Sequence, residues 1–579
     1  MRSIFCLLVF VVACSSTESA TGSGGTGGAG GTAGAPECDD GVGGSGGPPK
    51  NPFLADSIYA IPHADSAQQD STSLAGPAGP TKTLADEERH YQQIGPGHFG
   101  IYISSPYPDC SRVIWSNGAD RIAKLDHDTF EVLAELPLDP DDYPAATDTQ
   151  IDAALDELDR LTCDAGIDSQ DCIALQAHAL DLAIKYLTGI DGVYGMLDKD
   201  NTLYVGGSQQ VVAYGDAEPG NPASGIEVKR TWDIPDDGSV PGNLVGFNMT
   251  FDGWIIMVTD LGALVAMSRD FQEIRTVMLN FSDEAPDHNA WVDTLGLRGQ
   301  YWVRNPMAID EDGGIFVASA DHLHRVMWMA GDESFSLGEE DGAWTVEYSN
   351  IRDEDAGKGG LGTGATPSLI GFGADEDEFV VITDGDPLMN MTYFWRKEIP
   401  AGWQQLPGTL SRRVAGKLPA NFGNDELQFV QSEQSVVVSG YGAVVVNNEP
   451  RNVPDTAPAQ AIRLYASFLG NDPLFQPYGM QKFEWDPDAQ ELKEAWASPD
   501  LSSPNSVPYI SRGSNMVYTV GAREGLWTLE GVDFTTGASS FYYVVGGARH
   551  NSLFSGVHLD QEGRIIYGNP FGKLRLDVN

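Results

Sequence analysis

Hydrophobic and polar positions along the chain repeat one phrase about eight times. In each copy an apolar couplet is followed by a turn of Asp, Glu and Gly and then by a run of β-branched or aromatic residues; residues 307–317 and 557–567 are the clearest copies. An Asp-Gly turn between two apolar runs is a strong signal for a β-hairpin. Most of these hairpins precede one or two further strand-like runs. The pattern predicts an all-β fold, a β-propeller with seven or eight four-stranded blades, of which eight is favoured. Two consecutive β-sandwiches are the alternative.

The last unit ends with residues 574–577 and lacks an obvious fourth strand of its own. An unpaired strand at a sheet edge invites pairing with other chains, and closed β-architectures avoid it. We therefore expect a strand from the N-terminal side of the propeller to complete this blade.

One stretch, at about residues 148–187, has a helical pattern instead. Ile151, Leu155 and Leu158 keep helical spacing, and a second apolar series follows after a short turn. Cys163 and Cys172 flank that turn and, in an exported chain, are predicted to form a disulfide. We interpret the stretch as an inserted helical hairpin pinned by this disulfide, either a lid over one face of the propeller or a peripheral addition.

The N-terminal residues have the pattern of a targeting segment. Arg2 precedes a short apolar run that ends at Cys14, and this run is too short to span a bilayer in the mature protein. The sequence Val-Ala-Cys-Ser at this point resembles the lipobox of bacterial lipoproteins. The resemblance implies cleavage before Cys14, acylation of that residue and attachment to a membrane, with the outer membrane favoured by the Ser that follows. Residues 1–13 are thus predicted to be a signal peptide, residues 14–50 a lipidated, Gly- and Ser-rich flexible tether, and residues 51–579 the propeller domain.

Charge and cysteine content narrow the range of partners and cofactors. The chain carries 83 acidic against 34 basic residues, a formal net charge of −49. The basic surface that nucleic acid requires is therefore not expected, and contact with a membrane is expected through the lipid alone. Cys38 and Cys110 can pair, an assignment that rests on elimination. The sequence has no Cys-x-x-Cys-His motif and no phosphate-binding loop, so neither covalent haem nor a nucleotide cofactor is expected.

Candidate chemistry is concentrated at one predicted mouth of the propeller channel. The innermost strand of a blade begins, and the second strand ends, on the same face, so residues at those positions converge there. The residues at these positions are Asp120, Asp260, Asp321, Asp384, Asp386 and Asn569 at second-strand ends, and Asp191, Asn305 and Thr366 at innermost-strand starts. Carboxylate and amide oxygens suit a divalent cation, calcium above all. We predict Asn305, Asp260, Asp321 and Asp386 as ligands of such an ion and Asp384 as a catalytic base.

Residues 304–313, Arg-Asn-Pro-Met-Ala-Ile-Asp-Glu-Asp-Gly, resemble the blade phrase of gluconolactonase and senescence-marker-type propellers. In that family an Asn ahead of the Asp-Gly turn holds an axial metal, and Asn305 is the matching position. The resemblance implies a divalent-metal-dependent hydrolase of lactones or esters. Pro306 stands where the family usually has Gly, and the family has six blades. The turn at 533–537 resembles the Asp-x-x-Thr-Gly turn of quinoprotein propellers, but the Trp that those proteins repeat in every blade is missing, so pyrroloquinoline quinone is not expected.

These observations favour a lipid-anchored extracytoplasmic propeller that acts as a binding or scaffold module for a surface protein, a glycan or a small molecule. The alternative is the metal-dependent hydrolase, in which one divalent ion would polarise an ester carbonyl and lower the pKa of a bound water. The two hypotheses leave open whether the chain is an enzyme.

Overall fold

The computed structural model describes residues 38, 47–138, 146–186, 194–207, 209–279, 303–350, 362–373, 375–454, 457 and 462–578. The predicted signal peptide, Cys14 and most of the predicted tether lie outside the described residues, as does Asp191. The described strands form eight sheets, each built on four antiparallel strands. The fold is a β-propeller of eight blades, as the repeat predicted, and the alternative of two β-sandwiches is wrong.

The blades are numbered in chain order, and their strands are given from the innermost to the outermost. Blade 1 comprises Tyr102–Ile103, Val113–Asn117, Arg121–Asp126 and Val132–Pro137. Blade 2 comprises Gly195–Leu197, Leu203–Gly207, Gln210–Asp216 and Ile226–Asp233, and blade 3 comprises Leu244–Met249, Ile255–Thr259, Ala263–Met267 and Ile274–Met278. Blade 4 comprises Ala308–Ile309, Gly314–Ala318 and His322–Met329, and two further strands, Ser334–Ser336 and Trp344–Glu347, both pair with His322–Met329. Blade 5 comprises Ser368–Ile370, Phe379–Thr383, Asn390–Trp395 and Val414–Pro419; blade 6, Val437–Ser439, Gly442–Val446, Met480–Asp486 and Glu491–Ser498; blade 7, Tyr509–Ser511, Met516–Arg523, Leu526–Asp533 and Ser539–Gly546; blade 8, His558–Leu559, Ile565–Asn569, Gly572–Leu576 and Arg89–Gln93.

Burial along the strands explains the pattern of the repeat. The two middle strands of a blade lie between the neighbouring blades and are covered on both faces, so they read as continuous apolar runs. In blade 3, for example, Ile255–Thr259 and Ala263–Met267 are buried at every position. The outermost strand, Ile274–Met278, has no buried position and carries polar residues. The cores between blades are therefore built from the runs that the sequence pattern singled out.

The acidic turn of the repeated phrase is a side-chain cap on the first hairpin of a blade. Asp310 Oδ1 accepts a hydrogen bond from the Gly314 backbone N–H at 2.7 Å, and Asp560 Oδ1 accepts one from the Arg564 N–H at 2.8 Å. Asp side chains that bond the backbone a few residues onward are well suited to turns. Gly313 has φ 84°, a left-handed conformation that glycine adopts without strain. The Asp-Gly pair is thus explained by turn geometry alone.

The ring closes through a strand from the N-terminal side, as predicted. Arg89–Gln93 pairs antiparallel with Gly572–Leu576 and forms the outermost strand of blade 8. Two short segments extend blade 7 in parallel, Ser71–Thr72 at its inner edge and Lys82–Thr83 at its outer edge. The N-terminal and C-terminal parts of the domain are therefore held together by β-pairing.

Residues 51–73, which we call the axial segment, run inside the ring of innermost strands. Backbone oxygens of the segment accept hydrogen bonds from six innermost strands, with donor–acceptor distances of 2.7–3.0 Å; the donors are the N–H groups of Ile103, Leu197, Ile309, Leu369, Val438 and Ile510. Asn51 Nδ2 donates to the Met249 carbonyl of blade 3 at 2.8 Å, and Tyr59 Oη accepts from the Leu559 N–H of blade 8 at 2.6 Å. The axial segment is therefore bonded to all eight blades. Several of these contacts lie at the C-terminal ends of the innermost strands, so the segment lies across the channel on that face.

Three helices lie among the described residues, Asp148–Arg160, Gln170–Tyr186 and Ile462–Leu469. Thr147 caps the first helix, since its side chain accepts from the Gln150 N–H. The first two helices form the predicted hairpin, joined by a disulfide between Cys163 and Cys172. A second disulfide joins Cys38 and Cys110, the pair suggested by elimination.

The third helix, Ile462–Leu469, was not predicted, and it belongs to an insertion within blade 6. It shares one apolar cluster with the helical hairpin and with Leu553 and Phe571 from the ends of the blades. The hairpin is thus packed on the propeller rather than standing away from it. No helix among the described residues is both long enough and apolar enough to cross a bilayer.

Candidate functional site

An axial cavity of about 480 Å³ lies at the face where the innermost strands begin. The axial segment supplies Pro62 and His63 to its lining, the third helix supplies Ser467 and Phe468, and most of the rest comes from residues that precede the innermost strands of the blades. Those residues include Ile101, Tyr194, Asn305, Gly364, Ser435 and Val507. Concave sites of this size that combine apolar walls with a few polar groups are typical of ligand-binding pockets.

His63 and Asp70 form a buried pair in the axial segment beneath the cavity. His63 Nδ1 lies 2.7 Å from Asp70 Oδ2, and both side chains are less than a tenth exposed. Burial raises the pKa of Asp70, and the neighbouring His63 acts in the opposite direction. With Nδ1 held by the carboxyl group, Nε2 is the imidazole nitrogen left to contact other groups.

The backbone around this pair is unusual. Ala64, Gln68 and Asp70 have φ of 69°, 58° and 52°, which are left-handed conformations at residues other than glycine. Such conformations cost free energy and persist only where the surrounding structure holds them. Here the hydrogen bonds from the innermost strands to the axial segment hold the chain, so the position of His63 is fixed by the whole ring.

The polar wall of the cavity is formed by blades 2, 4 and 6. Arg304 Nη1 donates to Glu433 Oε1 at 2.8 Å, an ion pair between residues 129 positions apart in the chain. Tyr194 Oη lies 3.5 Å from Asn305 Oδ1, and burial raises the pKa of Tyr194 to about 12, so its hydroxyl group stays protonated. Along the ring of blades, Gly364 of blade 5 lies between Arg304 of blade 4 and Glu433 of blade 6. A Cβ there would lie 2.9 Å from the Cα of Glu433, so glycine permits this close approach.

The other wall is largely apolar and comes from blades 1, 7 and 8 and the third helix. It contains Phe99, Phe468, Leu553 and Phe554. His558 lies below them, edge-on to Tyr59 with ring centroids 4.2 Å apart. Burial lowers the pKa of His558 to about 3, so its imidazole is neutral at physiological pH. The third helix, which contacts the helical hairpin, thus forms part of the cavity wall.

Two buried polar atoms of lining residues have no hydrogen-bond partner within the described protein and are not themselves exposed to the cavity. They are Nε2 of Gln434 and Nδ1 of His558, and these residues are 1% and 2% exposed. Buried polar groups are almost always paired in native structures, so each unpaired one calls for an explanation.

The predicted base Asp384 and the predicted ligand Asp386 lie together at the end of the second strand of blade 5. Lys417 Nζ lies 2.9 Å from a carboxylate oxygen of each. Asn390 Nδ2 also donates to both, at 2.8 and 3.1 Å. Burial raises the pKa of Asp384 to about 6, although Lys417 acts to lower it. Neither residue belongs to the cavity lining described above.

The other predicted ligands lie apart from this pair. Asp260 accepts from the backbone and side chain of Asn243, at 2.7 and 3.1 Å, at the entry to blade 3. Asp321 pairs with His322 at 2.8 Å in blade 4. Of the four predicted ligands, Asn305 alone is among the described residues that line the cavity. The roles assigned to these residues stay predictions.

A further group of possible ligands, His127, Asp560 and Glu562, lies near the first hairpin of blade 8. Arg564 pairs with Asp560 at 2.7 Å and with Glu562 at 3.1 Å. One arginine therefore contacts both carboxylates, and these ion pairs belong to the turn of the first hairpin of blade 8.

Sequence reasoning placed Asn305 at the face that holds the cavity. It missed His63, Arg304, Glu433 and Gln434. Glu433 and Gln434 precede the innermost strand of blade 6. The turn of that blade lacks the Asp-Gly pair, so the repeat did not fix which residues lie at the start of the strand. A search for polar residues before every apolar couplet would have found them, whereas His63 lies in a segment outside the repeat.

A protein from Archaeoglobus fulgidus, described as an uncharacterized protein, is 30% identical to this chain over 534 residues. The match covers 91% of this chain and 89% of the archaeal protein. The chain belongs to the same family as this archaeal protein. No model of a known protein family matches the chain.

Solved structures with a similar fold share little sequence. A quinohemoprotein alcohol dehydrogenase from Pseudomonas putida HK5 is 9% identical, with a TM-score of 0.48, and the match covers 91% of this chain and 80% of the enzyme. A europium-containing methanol dehydrogenase is 10% identical with a TM-score of 0.47, covering 90% of this chain and 91% of that protein. BamB from Moraxella catarrhalis is 9% identical with a TM-score of 0.34, covering 65% of this chain and 93% of its own. These similarities concern the fold, and no functional conclusion is drawn from them.

Proposed function

We propose that the protein is a lipid-anchored extracytoplasmic binding module that takes a small molecule into its axial cavity. The observation that carries this proposal is the cavity itself, because it combines an apolar wall with a polar wall in one concave site. Most surfaces that serve only as scaffolds do not need such a concave site. The hydrogen bonds of the axial segment to all eight blades keep the base of the cavity in one conformation. Preorganisation of this kind reduces the free energy lost on binding.

The binding proposal is tested with a fragment library and a variant in which the cavity is filled. Asn305→Trp places a large side chain at the mouth, and Gln428→Trp places one on an exposed turn outside the cavity as the control. We expect fragments detected by ligand-observed NMR to bind the wild-type protein and the control, and to lose about tenfold or more in affinity for Asn305→Trp. Equal binding to all three proteins would refute the proposal.

The anchor is a separate part of the proposal and has its own test. A lipid on Cys14 would hold the protein at the membrane, because each buried CH₂ contributes about 0.8 kcal/mol. Cys14→Ser should move the protein from the membrane fraction to the soluble extracytoplasmic fraction, whereas Cys6→Ser, within the predicted signal peptide, should leave it at the membrane. If Cys14→Ser stays in the membrane fraction, the anchor is not a lipid on this residue.

A divalent-metal-dependent hydrolase is the second proposal, and the position of Asn305 in the cavity lining favours it. The ion pairs of Asp384 and Asp386 with Lys417 speak against it, since those carboxylates already have a cationic partner. The measurement that separates the two functions is the metal content of the purified protein, followed by turnover of lactones and esters with and without a chelator. A stoichiometric metal together with chelator-sensitive turnover would favour the hydrolase.

A further inference from the structure

One nitrogen of the buried pair beneath the axial cavity is open to the cavity. His63 Nδ1 is held 2.7 Å from Asp70 Oδ2. Nε2 has no hydrogen-bond partner among the described residues, and it is not one of their solvent-inaccessible unpaired atoms. Because His63 belongs to the cavity lining, a small molecule in the cavity can reach this nitrogen.

The loop that carries the pair is closed and strained. The Asp65 N–H donates to the His63 carbonyl at 2.9 Å, and Ala64, Gln68 and Asp70 all have positive φ. Strain of this kind is concentrated where the position of a side chain matters for function. A buried pair of ionisable groups is also a poor source of stability, since apolar residues fill the same space at lower cost. The pair is therefore better explained by chemistry than by packing.

Two neutral hydrogen-bond donors lie on the cavity wall beside His63. The rings of His63 and Tyr194 have centroids 6.5 Å apart, and the Tyr194 hydroxyl lies 3.5 Å from Asn305 Oδ1. Burial raises the pKa of Tyr194 to about 12, so this hydroxyl carries its proton. Asn305 Nδ2 is unpaired among the described residues and is not solvent-inaccessible. An O–H and an N–H group are thus available to one oxygen atom of a bound molecule.

The surroundings of the pair leave water as the nucleophile. The titratable and charged groups of the described elements around the pair are Asp65 in the axial segment, Tyr194 in blade 2, Arg304 in blade 4, Glu433 in blade 6 and His558 in blade 8. No hydroxyl group of the described residues is hydrogen-bonded to Nε2 of His63. A base in this position acts on a water molecule that enters the cavity with the ligand.

We propose that the protein is an esterase in which His63 is the catalytic base and Asp70 is the residue that positions it. This inference goes beyond binding and rests on the proposed entry of small molecules into the cavity. Asp70 holds Nδ1, and Nε2 is thereby directed towards the bound ester. The donors Tyr194 and Asn305 hold the carbonyl oxygen, where negative charge develops in the transition state.

The reaction is a hydrolysis that uses side chains of this chain alone. Nε2 of His63 takes a proton from water while the water oxygen bonds to the carbonyl carbon, and the electron pair of the double bond moves to the carbonyl oxygen. When the double bond forms again, the bond from carbon to the alcohol oxygen breaks, and that oxygen takes the proton from His63. One ester and one water give one carboxylic acid and one alcohol.

The apolar wall indicates which esters fit. Phe99 and Phe554 are half-buried and line the cavity on the side of blades 1 and 8. Rings pack favourably on such phenylalanines beyond the burial of their area. We therefore expect esters with an aromatic part to be hydrolysed faster than small alkyl esters.

The test measures hydrolysis of 4-nitrophenyl and 1-naphthyl esters of acetic, butyric and benzoic acid by the full chain. His63→Gln should lower kcat by about a hundredfold or more, because the base is lost. The matched control is His90→Gln, since His90 pairs with Asp577 at 3.2 Å on the outermost strand of blade 8, away from the cavity. EDTA should leave turnover unchanged, which separates this activity from a metal-dependent hydrolase.

Asp70→Asn tests the positioning role. Asn tolerates the left-handed conformation of this position, so the fold of the loop is kept. We expect kcat to fall about tenfold or more with KM within about twofold of the wild-type value. A base acts in its unprotonated form, so kcat should rise with pH to a plateau. In Asp70→Asn this rise should lie at lower pH, because the imidazolium has lost its anionic neighbour. A purely structural pair would not shift the profile.

Tyr194→Phe removes one of the two donors to the carbonyl oxygen. It should lower kcat about tenfold or more, because the developing charge loses a hydrogen bond. Tyr91→Phe, at a half-buried tyrosine on the outermost strand of blade 8, is the control and should keep wild-type turnover.

Three results would overturn the inference: no turnover above that of His63→Gln, turnover that EDTA abolishes, or a pH profile that Asp70→Asn leaves in place. Fragment binding distinguishes this failure from that of the binding function. If fragments still bind the wild type and are excluded by Asn305→Trp, the cavity binds small molecules without hydrolysing them. Loss of fragment binding as well would refute both proposals.

Discussion

Asp384 is a buried carboxyl group whose protonation is set by its surroundings. It is 1% exposed and accepts hydrogen bonds from the backbone and side-chain nitrogens of Asn390, each at 2.8 Å. Burial has the largest effect on its pKa, which rises to about 6 even though Lys417 lies 2.9 Å away. The ionised form of Asp384 is therefore less favourable in the folded protein than in the unfolded chain.

The stability that Asp384 contributes should depend on pH in a defined direction. Folding raises the pKa of Asp384 from 3.8 to about 6. The stability that Asp384 contributes is therefore fully present below the lower pKa and is lost as pH rises through the higher one. The difference corresponds to roughly 2–3 kcal/mol. Asn at this position does not titrate. The difference in free energy of unfolding between Asp384→Asn and the wild type should therefore shift in favour of the variant by about this amount as pH rises from about 4 to about 7.

Urea denaturation over this pH range measures that difference. Asp425→Asn, on an exposed turn, removes one carboxylate at the surface and serves as the control for the change in net charge. A difference between wild type and Asp384→Asn that is constant with pH, or that moves in the opposite direction, would contradict the assigned pKa.

Asn248 is the residue that joins the axial segment to two neighbouring blades. Its Nδ2 donates to the Ser66 carbonyl at 3.0 Å and to the Met307 carbonyl at 2.8 Å, and its Oδ1 accepts from the Met249 N–H at 2.8 Å. The residue is fully buried, so Asn248→Ala removes all three of these hydrogen bonds, although the Ser66 carbonyl still accepts from the Ile309 N–H at 2.7 Å. We expect the free energy of unfolding to fall by about 3 kcal/mol, measured by chemical denaturation. Asn221→Ala, whose side-chain bonds lie at the surface, should change it by less than about 1 kcal/mol; similar losses in both would contradict this role.

At the residue scale, the sequence predicted those groups whose positions follow from the repeat. Asp310 and Asp560 were recognisable because a turn between two apolar runs has a fixed chemistry. Asn305 was placed at the face that holds the cavity because it precedes an innermost strand. His63 could not be placed, since its neighbours on the axis come from all eight blades and no local pattern encodes those contacts.

At the scale of single elements, the helical hairpin shows how a disulfide supports a wall of the site. The helix Gln170–Tyr186 packs on the third helix, which supplies Phe468 to the cavity, and the helix Asp148–Arg160 belongs to the same apolar cluster. The disulfide between Cys163 and Cys172 closes a short loop between the first two. In the chain-entropy model a loop of this size stabilises by roughly 2–3 kcal/mol.

Cys163→Ser with Cys172→Ser should therefore loosen the hairpin without unfolding the propeller. We expect faster amide hydrogen exchange across both helices, by about thirtyfold or more, and unchanged exchange in the middle strands of blade 3. The Cys38–Cys110 disulfide lies elsewhere, so Cys38→Ser with Cys110→Ser is a matched control that should leave hairpin exchange unchanged. If the first pair of substitutions accelerates exchange equally in every blade, the hairpin is not an independent unit.

The axial segment is the element that sequence reasoning did not foresee. Its residues alternate small, polar and apolar side chains without the period of a strand or a helix, and Ser66, Gln69 and Asp70 are buried although polar. These residues are buried because their backbone and side-chain groups bond the innermost strands, not because they are apolar. A pattern of hydrophobic periodicity cannot reveal an element that is stabilised in this way.

On the scale of the whole molecule, circular closure was predictable because each unit carries its own apolar strands and turns. Two features of closure depend on residues far apart in the chain. Arg89–Gln93 completes blade 8, and the axial segment bonds the innermost strands of all eight blades. Both lie before blade 1, so the N-terminal part of the domain determines whether the ring is closed at its edge and filled at its centre.

The last prediction follows from this arrangement and uses two truncations. A chain that begins at Cys38 keeps both disulfides, the axial segment and Arg89–Gln93, and should fold with a single cooperative unfolding transition. A chain that begins at residue 95 lacks the axial segment and leaves Gly572–Leu576 as an unpaired edge. We expect this second chain to aggregate or to lose cooperative unfolding, as measured by size-exclusion chromatography and thermal denaturation.

Supplying residues 47–94 as a separate peptide during refolding should restore a monomeric, cooperative protein, since the same hydrogen bonds can then form between two chains. A chain from residue 95 that folds cooperatively without the peptide would show that the ring closes by itself, and the axial segment would then not be the element that fixes the base of the cavity.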